Sequence, residues 1–296
     1  MSLPPHILDL VDTLDPSRPV LIAGPTASGK SALALAVARR TGGPVVNADA
    51  IQVFADWRVL TARPSREDEA AHPHALYGHV PGDAPYSVGH WLRDMAPYLD
   101  GPPPVIVGGT GLNFEALTKG LAPIPETPPE VRRAADRRMA EAGVAALAAE
   151  LDRETAGTID LKNPARVQRA WEVLKATGRG IAAWQGETPP PLLPQDAATC
   201  LVLTLPPERL TPRIEARTGA MLKDGALDEA RANAPDWHPA LPSAKAIGAA
   251  ELVAHVRGEI TLDEARTRIA VLTRQYAKRQ RTFFRGRLKG WREVAV

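Results

Sequence analysis

Eight residues near the start of the chain, GPTASGKS at 24–31, constrain it more than anything else in the sequence. They fill every fixed position of G-x-x-x-x-G-K-[ST], a loop built to hold phosphate. Gly24 and Gly29 allow a tight turn whose backbone N–H groups face inward. Pro25, Thr26, Ala27 and Ser28 form its interior, and Lys30 supplies a mobile full charge. The Ser31 hydroxyl suits Mg²⁺, alongside phosphate oxygens and water. The pattern gains weight from its flanks. The apolar run VLIAG precedes it, and the Ala/Leu-rich segment after it predicts a helix whose N-terminus adds positive potential.

Further strand-like runs follow at PVVNADA (44–50), PPPVIVGGTG and ATCLVLTL, separated by helical patterns such as SVGHWLRDMAPYL. Continuous apolar strands alternating with helices predict an α/β fold, a P-loop NTPase-like parallel sheet flanked by helices. The proline-rich stretches GLAPIPETPPE and ETPPPLLP bracket a segment that is helical by pattern. The expected organisation is therefore a core in two parts, 1–124 and 189–296, with a small all-helical domain inserted at 125–188. That insertion balances ten acids against ten bases, whereas residues 266–292 hold ten Lys or Arg and no acid. Such a block suggests an anionic partner.

A length of 296 residues and 44% hydrophobic content permit a sizeable core. One cysteine, Cys200, allows no internal disulfide and sits in a strand-like run. The first twenty residues do not have the form of a signal peptide, and apolar runs are strand-length, so the expectation is a cytoplasmic chain with no membrane contact. His72, His74 and His79 lie close together but lack a strong acid or thiol beside them, which argues against a metal site. Trp171 and Trp184 fall on amphipathic patterns that favour packing over base stacking. A P-loop names phosphate, not a reaction. PPPVIVGG ends in glycine rather than a metal-holding acid, while PVVNAD ends in Asp49, either a metal ligand or a base.

Taken together, these segments resemble the tRNA dimethylallyltransferases, or tRNA isopentenyltransferases, over about residues 20–286. GPTASGKS, NADAIQVF, LTARP, His74, YSV at 86–88, VGGTGLNFEAL, NPARVQRAWEV, RIEAR and TRQYAKRQRTFFR each match a motif of that family. The resemblance implies transfer of a dimethylallyl group from dimethylallyl diphosphate, with Mg²⁺, to N6 of adenine 37, next to the tRNA anticodon. It implies Asp49 as the base, with Lys30, Arg217 and Thr110 serving the departing diphosphate. For tRNA (its anticodon stem-loop) it implies contact by Asp49, Ala50, Ile51, Gln52 and Thr110. On the insertion it points to Arg132, Ala165, Arg166, Val167, Gln168 and Arg169. Nearer the C-terminus it points to Lys245, Ala246, Ile247, Gly248, Ala249 and Ala250, and to Arg274, Lys278 and Arg281. A monomer is expected.

Some positions depart from the family pattern. Ala50 stands for a serine, Leu60 for a glycine and Asn113 for an aromatic residue, while Ala249 and Ala250 replace a tyrosine and a basic residue. Two other readings remain at this stage: prenylation of a free adenine nucleotide, and a P-loop kinase for a small metabolite. A third is a non-catalytic RNA binder.

Overall fold

The computed structural model describes residues 4–296. Six parallel strands form one sheet in the order β3-β2-β4-β1-β5-β6. They are β1 (Val20–Ala23), β2 (Val45–Asn47), β3 (His74–Ala75), β4 (Val105–Gly108), β5 (Thr199–Thr204) and β6 (Arg292–Ala295). β1 lies between β4 and β5, with Val20 opposite both Val105 and Thr199. β1 and β4 are buried along their whole length, as their unbroken apolar sequences require.

Alternate side chains of β1 enter two different cores. Val20 and Ile22 pack with α1 (Pro5–Thr13) and α2 (Lys30–Thr41). Leu21 and Ala23 face α4 (Val88–Met95) and α5 (Gly111–Lys119), meeting Trp91, Met95, Phe114 and Leu117. The short α3 spans Arg66–Ala71, opened by Ser65 in a reciprocal capping box with Asp68. After β5 come α10 (Pro207–Lys223), α11 (Ala226–Asn233), α12 (Ala249–Val256) and the 26-residue α13 (Leu262–Arg287). The last three share a third core, around Ala226, Ala230, Leu252, Val253, Ala265 and Ile269.

The chain divides into two compact units, one of residues 1–118 and 192–296, the other Lys119–Pro191. The second is a few residues wider at each end than the 125–188 expected from proline content. It contains α6 (Pro129–Ala149), interrupted at Gly143, then α7 (Arg153–Thr158), α8 (Pro164–Thr177) and α9 (Ile181–Gln185). Asn163 caps α8 through its side chain and Pro164 follows at the first position, as the Asn-Pro pair predicts. Two strands escaped the sequence reading. β3 is only two residues long, and β6 lies in the basic C-terminal stretch, where three of its four residues are exposed. Neither has an apolar run to betray it.

A single acid organises the helical unit. Glu150 accepts a hydrogen bond from the Trp171 indole N–H at 2.9 Å and pairs with Lys175 at 3.0 Å and Arg138 at 3.1 Å. These contacts, that from Trp171 foremost, hold its pKa at about 2. A depressed acid adds stability above its unfolded value of about 4.3 and loses it as pH falls towards 2. The Trp171 indole signal in NMR spectra should therefore broaden or move between pH 4.5 and 2. Glu150→Gln should remove the transition from that window.

Candidate active site

β1 delivers the phosphate loop at the carboxyl edge of the sheet, where ligands of open α/β folds bind. Gly29 turns the loop into α2 at φ 91°, a conformation that favours glycine. No side chain caps α2, so its first N–H groups remain available for an anion. Lys30 and Ser31 occupy its first turn and line a cavity of about 380 Å³. The Lys30 ammonium lies 3.4 Å from the Pro25 carbonyl. Burial, and then the charge of Arg217, lower its pKa to about 8, with Asp49 acting in the opposite direction.

Asp49 reaches the same cavity from the end of β2. The buried Asn47 holds its backbone, accepting from the Asp49 N–H at 2.8 Å and donating to the Asp49 carbonyl at 2.9 Å. Trp91 in turn donates its indole N–H to the Asn47 carbonyl at 2.7 Å. One carboxylate oxygen of Asp49 accepts from the Ile51 N–H at 3.0 Å. Thr110, after β4, stands alongside, its hydroxyl oxygen accepting the Ala50 N–H at 2.9 Å.

Two long helices complete the cavity. α10 brings in Arg217, which donates to the Thr61 carbonyl at 3.4 Å; burial lowers its pKa while Asp49 raises it. α13 contributes Thr273, Tyr276, Arg279 and Gln280. Burial, and secondarily Asp49, push the Tyr276 phenol well above its usual range, so it stays protonated. Gln280 is buried and ties two loops together. Its carbonyl oxygen accepts the Thr26 N–H at 2.9 Å, and its amide donates to the Gly109 carbonyl at 2.9 Å. Gly109 leaves room for this: a β-carbon there would lie 2.2 Å from the Gln280 amide nitrogen and 3.2 Å from an Asp49 oxygen.

The wall at 58–62 is equally constrained. The Glu229 carboxylate receives the N–H groups of Arg58, Val59 (2.9 Å) and Leu60 (3.0 Å). Gln52 donates to the carbonyls of Thr61 and Ala62 at 2.9 and 3.0 Å. The cavity thus carries two kinds of lining, the cations Lys30 and Arg217 and the apolar side chains of Leu60, Ile214, Met221, Ile247 and Ile269. That combination suits an amphiphilic diphosphate.

Of the residues singled out by sequence, Thr26, Lys30, Ser31, Asp49, Ile51, Gln52, Arg217, Lys245 and Ile247 line this cavity. Others do not fit as side-chain contacts. Ala246 and Ala249 belong to the third core, and Gly248 is buried beside Leu60 and Ile269. Val167 is buried in the core of the helical unit. These four positions carry the packing between the polar residues around them. Ala165 and Arg166 are exposed. Gln168 bonds Asp136 and Glu172, and Arg169 and Arg132 both pair with the buried Glu172. Ala250 and Lys278 are exposed, while Arg274 pairs with Glu215. Trp171 packs in the helical core. The histidines hold separate partners, His72 the Gly43 carbonyl, His74 the His72 carbonyl and His79 Asp94.

Sequence reasoning missed Tyr276, Gln280 and Glu229. Thr273, Tyr276 and Gln280 follow a three-to-four spacing within TRQYAKRQR, a polar stripe that the surrounding bases conceal. Leu60, where the family pattern has glycine, forms part of the apolar wall.

The fold and cavity define a site built to hold phosphate at the carboxyl edge of a parallel sheet. A family model described as IPP transferase matches residues 52–287, and one described as isopentenyl transferase matches residues 18–72. A tRNA dimethylallyltransferase of Cereibacter sphaeroides is 62% identical over all of this chain and 94% of its own length. One from Dinoroseobacter shibae is 60% identical over 96% of this chain and 97% of its own. Among solved structures, the tRNA isopentenylpyrophosphate transferase of Bacillus halodurans is 29% identical, with TM-score 0.65, covering 94% of this chain and 90% of its own. A eukaryotic dimethylallyltransferase acting on tRNA shares the fold at TM-score 0.76 and 24% identity, over 94% of this chain and 73% of its own. The chain belongs to the IPP transferase family.

Two measurements check this geometry. An anion beside Lys30 raises its pKa, so inorganic pyrophosphate binding should take up a proton near pH 9 and weaken as pH rises above about 8. Calorimetry in buffers of different ionisation enthalpy should show that uptake, and Lys30→Met should abolish it. Gln280→Ala leaves the Thr26 N–H and the Gly109 carbonyl without a partner, at a cost of ~1–3 kcal/mol in urea unfolding. Gly109→Ala, whose β-carbon would meet the Gln280 amide, should lower stability in the same urea measurement.

Proposed function

We propose that the chain transfers the dimethylallyl group of dimethylallyl diphosphate to N6 of adenine 37 in tRNA, in the cytoplasm and as a monomer. The observation that carries this reading is the single cavity in which Lys30 and Arg217 face Asp49 beside an apolar wall. The family's curated relatives named above support it.

Breaking the allylic carbon–oxygen bond leaves negative charge on diphosphate and positive character on carbon. Lys30, Arg217 and the N–H groups of α2 stabilise the first. The Thr110 hydroxyl accepts the Ala50 N–H and lies within hydrogen-bond reach of the Tyr276 phenol, and its proton would turn to the bridging oxygen when the donor is bound. The adenine amine is a weak nucleophile because its lone pair is delocalised into the ring. Asp49 accepts one of its N–H bonds, orients it, and takes the proton as the new carbon–nitrogen bond forms. The apolar residues exclude water that would otherwise capture the allylic carbon.

Magnesium fits a donor set of one hydroxyl, Ser31, completed by phosphate oxygens and water. Among the described residues no group of three or more His, Cys, Asp or Glu could cage a metal by itself. When bound, the ion would neutralise charge on the departing diphosphate.

A base inside a folded anticodon loop must be drawn out of its stack to be modified. On the core unit the exposed Ala50, Ala250 and Lys278 and the cavity-lining Gln52 and Lys245 would meet it. Arg132, Ala165 and Arg166 offer an exposed face on the helical unit. No helix among the described residues is long and apolar enough to cross a membrane.

Incubating unmodified tRNA with the protein, magnesium and dimethylallyl diphosphate should raise the tRNA mass by one prenyl group. Modification of AMP but not of tRNA would overturn the acceptor. Asp49→Ala should bind tRNA normally and lose turnover about 10²–10⁴-fold. Wild-type rates in that variant would remove Asp49 as the base.

A further inference from the structure

No step assigned to Lys30, Arg217, Thr110 and Asp49 uses Tyr276, yet its side chain lines the same cavity. Tyr276 stands on α13 four residues before Gln280, so both side chains leave one face of the helix. Its hydroxyl lies within hydrogen-bond reach of two neighbours, the Thr110 hydroxyl and the Gln280 amide.

Hydrogen-bond capacity decides what these three groups can do together. A hydroxyl accepts two hydrogen bonds and donates one. The Thr110 oxygen already accepts the Ala50 N–H at 2.9 Å, which leaves it one acceptor position and one proton. The Gln280 amide gives one N–H to the Gly109 carbonyl at 2.9 Å and keeps a second for the Tyr276 oxygen. The phenol can therefore accept from Gln280 and donate its own proton to Thr110. In that direction Thr110 accepts twice, and its only proton must point away from both protein partners. In the opposite direction that proton is spent on Tyr276 and cannot serve a substrate.

A bound diphosphate selects the first direction. A phenol is more acidic than an aliphatic alcohol, so it is the stronger donor of the pair, and burial keeps Tyr276 protonated. Hydrogen bonds in a row polarise one another in a dry site. The row from Gln280 through Tyr276 to Thr110 therefore strengthens as charge builds on the oxygen that Thr110 faces. A contact that gains strength as the bond breaks raises the rate without tightening ground-state binding.

We propose that Tyr276 is a positioning residue for the prenyl transfer, donating to Thr110 so that the threonine proton is committed to the departing diphosphate. The inference rests on the function proposed above and adds a residue to it. Gln280 also accepts the Thr26 N–H, so the side chain that clamps the phosphate loop is the one that anchors the phenol.

Tyr276→Phe keeps the ring and removes the hydroxyl. Assayed with tRNA, magnesium and dimethylallyl diphosphate, it should lose about tenfold in kcat, the worth of one hydrogen bond, with KM for the diphosphate unchanged. Adding Tyr276→Phe to Thr110→Val should cost nothing beyond Thr110→Val alone, because the phenol acts through the threonine. Fluorotyrosines at 276 keep shape and hydroxyl while making the phenol more acidic, and kcat should rise along that series. Their fluorine NMR signal should also move on Thr110→Val and on adding dimethylallyl diphosphate, whether or not turnover occurs. Wild-type kcat in Tyr276→Phe, losses that multiply in the double variant, or a kcat indifferent to fluorination would overturn the proposal. If Tyr276→Phe unfolds at lower urea, the fluorinated series decides alone. Unmodified tRNA with the unaltered protein would instead refute the transfer itself, and a fluorine signal that Thr110→Val leaves unmoved would refute the contact.

Discussion

Two cations and one carboxylate, gathered around one cavity, set the terms for this protein. Lys30 and Arg217 are each weakened by burial and by proximity, and Asp49 only partly offsets them. The arrangement leaves an excess of positive charge that water cannot fully screen. A dianionic or trianionic guest relieves it, and relief of that kind grows as the guest's charge grows. On the proposed function, the cavity would favour the state in which a carbon–oxygen bond has begun to break over the intact donor, which is the condition for acceleration.

Keeping like charges together requires a frame that cannot relax away from them. Three polar side chains without direct roles in the chemistry supply it. Asn47 fixes the backbone on either side of Asp49, Gln280 joins the phosphate loop to the Gly109 strand end, and Glu229 gathers three consecutive amides of the 58–62 wall. All three satisfy backbone groups, Gln280 meeting the Tyr276 hydroxyl as well, so their geometry is set largely by the main chain and is hard to deform. The glycine at 109 belongs to this frame, because its missing side chain is the space that Gln280 and Asp49 share.

Much of this was legible beforehand, for reasons that differ by residue. Lys30 and Ser31 announce themselves because phosphate chemistry demands fixed spacing in a short loop. Continuous apolar runs such as VLIA and VIVG identify buried parallel strands, and paired proline stretches mark the helical insertion. Asp49 was legible as the acid ending a strand-like run, as a metal ligand or a base, whereas Thr110 and Arg217 were reachable only through motif resemblance. Glu229 was invisible because a buried carboxylate bonded to backbone leaves no periodic trace, and the stripe that holds Gln280 was masked by neighbouring bases. β6 was missed for the opposite reason: an edge strand with exposed charges lacks the apolar signature of its neighbours. Val167, Ala246, Gly248 and Ala249 fall within contact motifs, yet they face inward, because a helix or turn that presents some residues must anchor itself with others.

The order of strands bears on how the molecule is made. Val20 pairs with Thr199, and the phosphate loop is clamped by a glutamine 254 positions further along the chain than Thr26. A ribosome will have released the helical unit well before that glutamine emerges. During synthesis the loop is thus present but unclamped, its sheet half built and Arg217 and Gln280 still absent. The binding pocket therefore closes only once α13 has been made, and termination before Gln280 leaves the phosphate loop without its clamp.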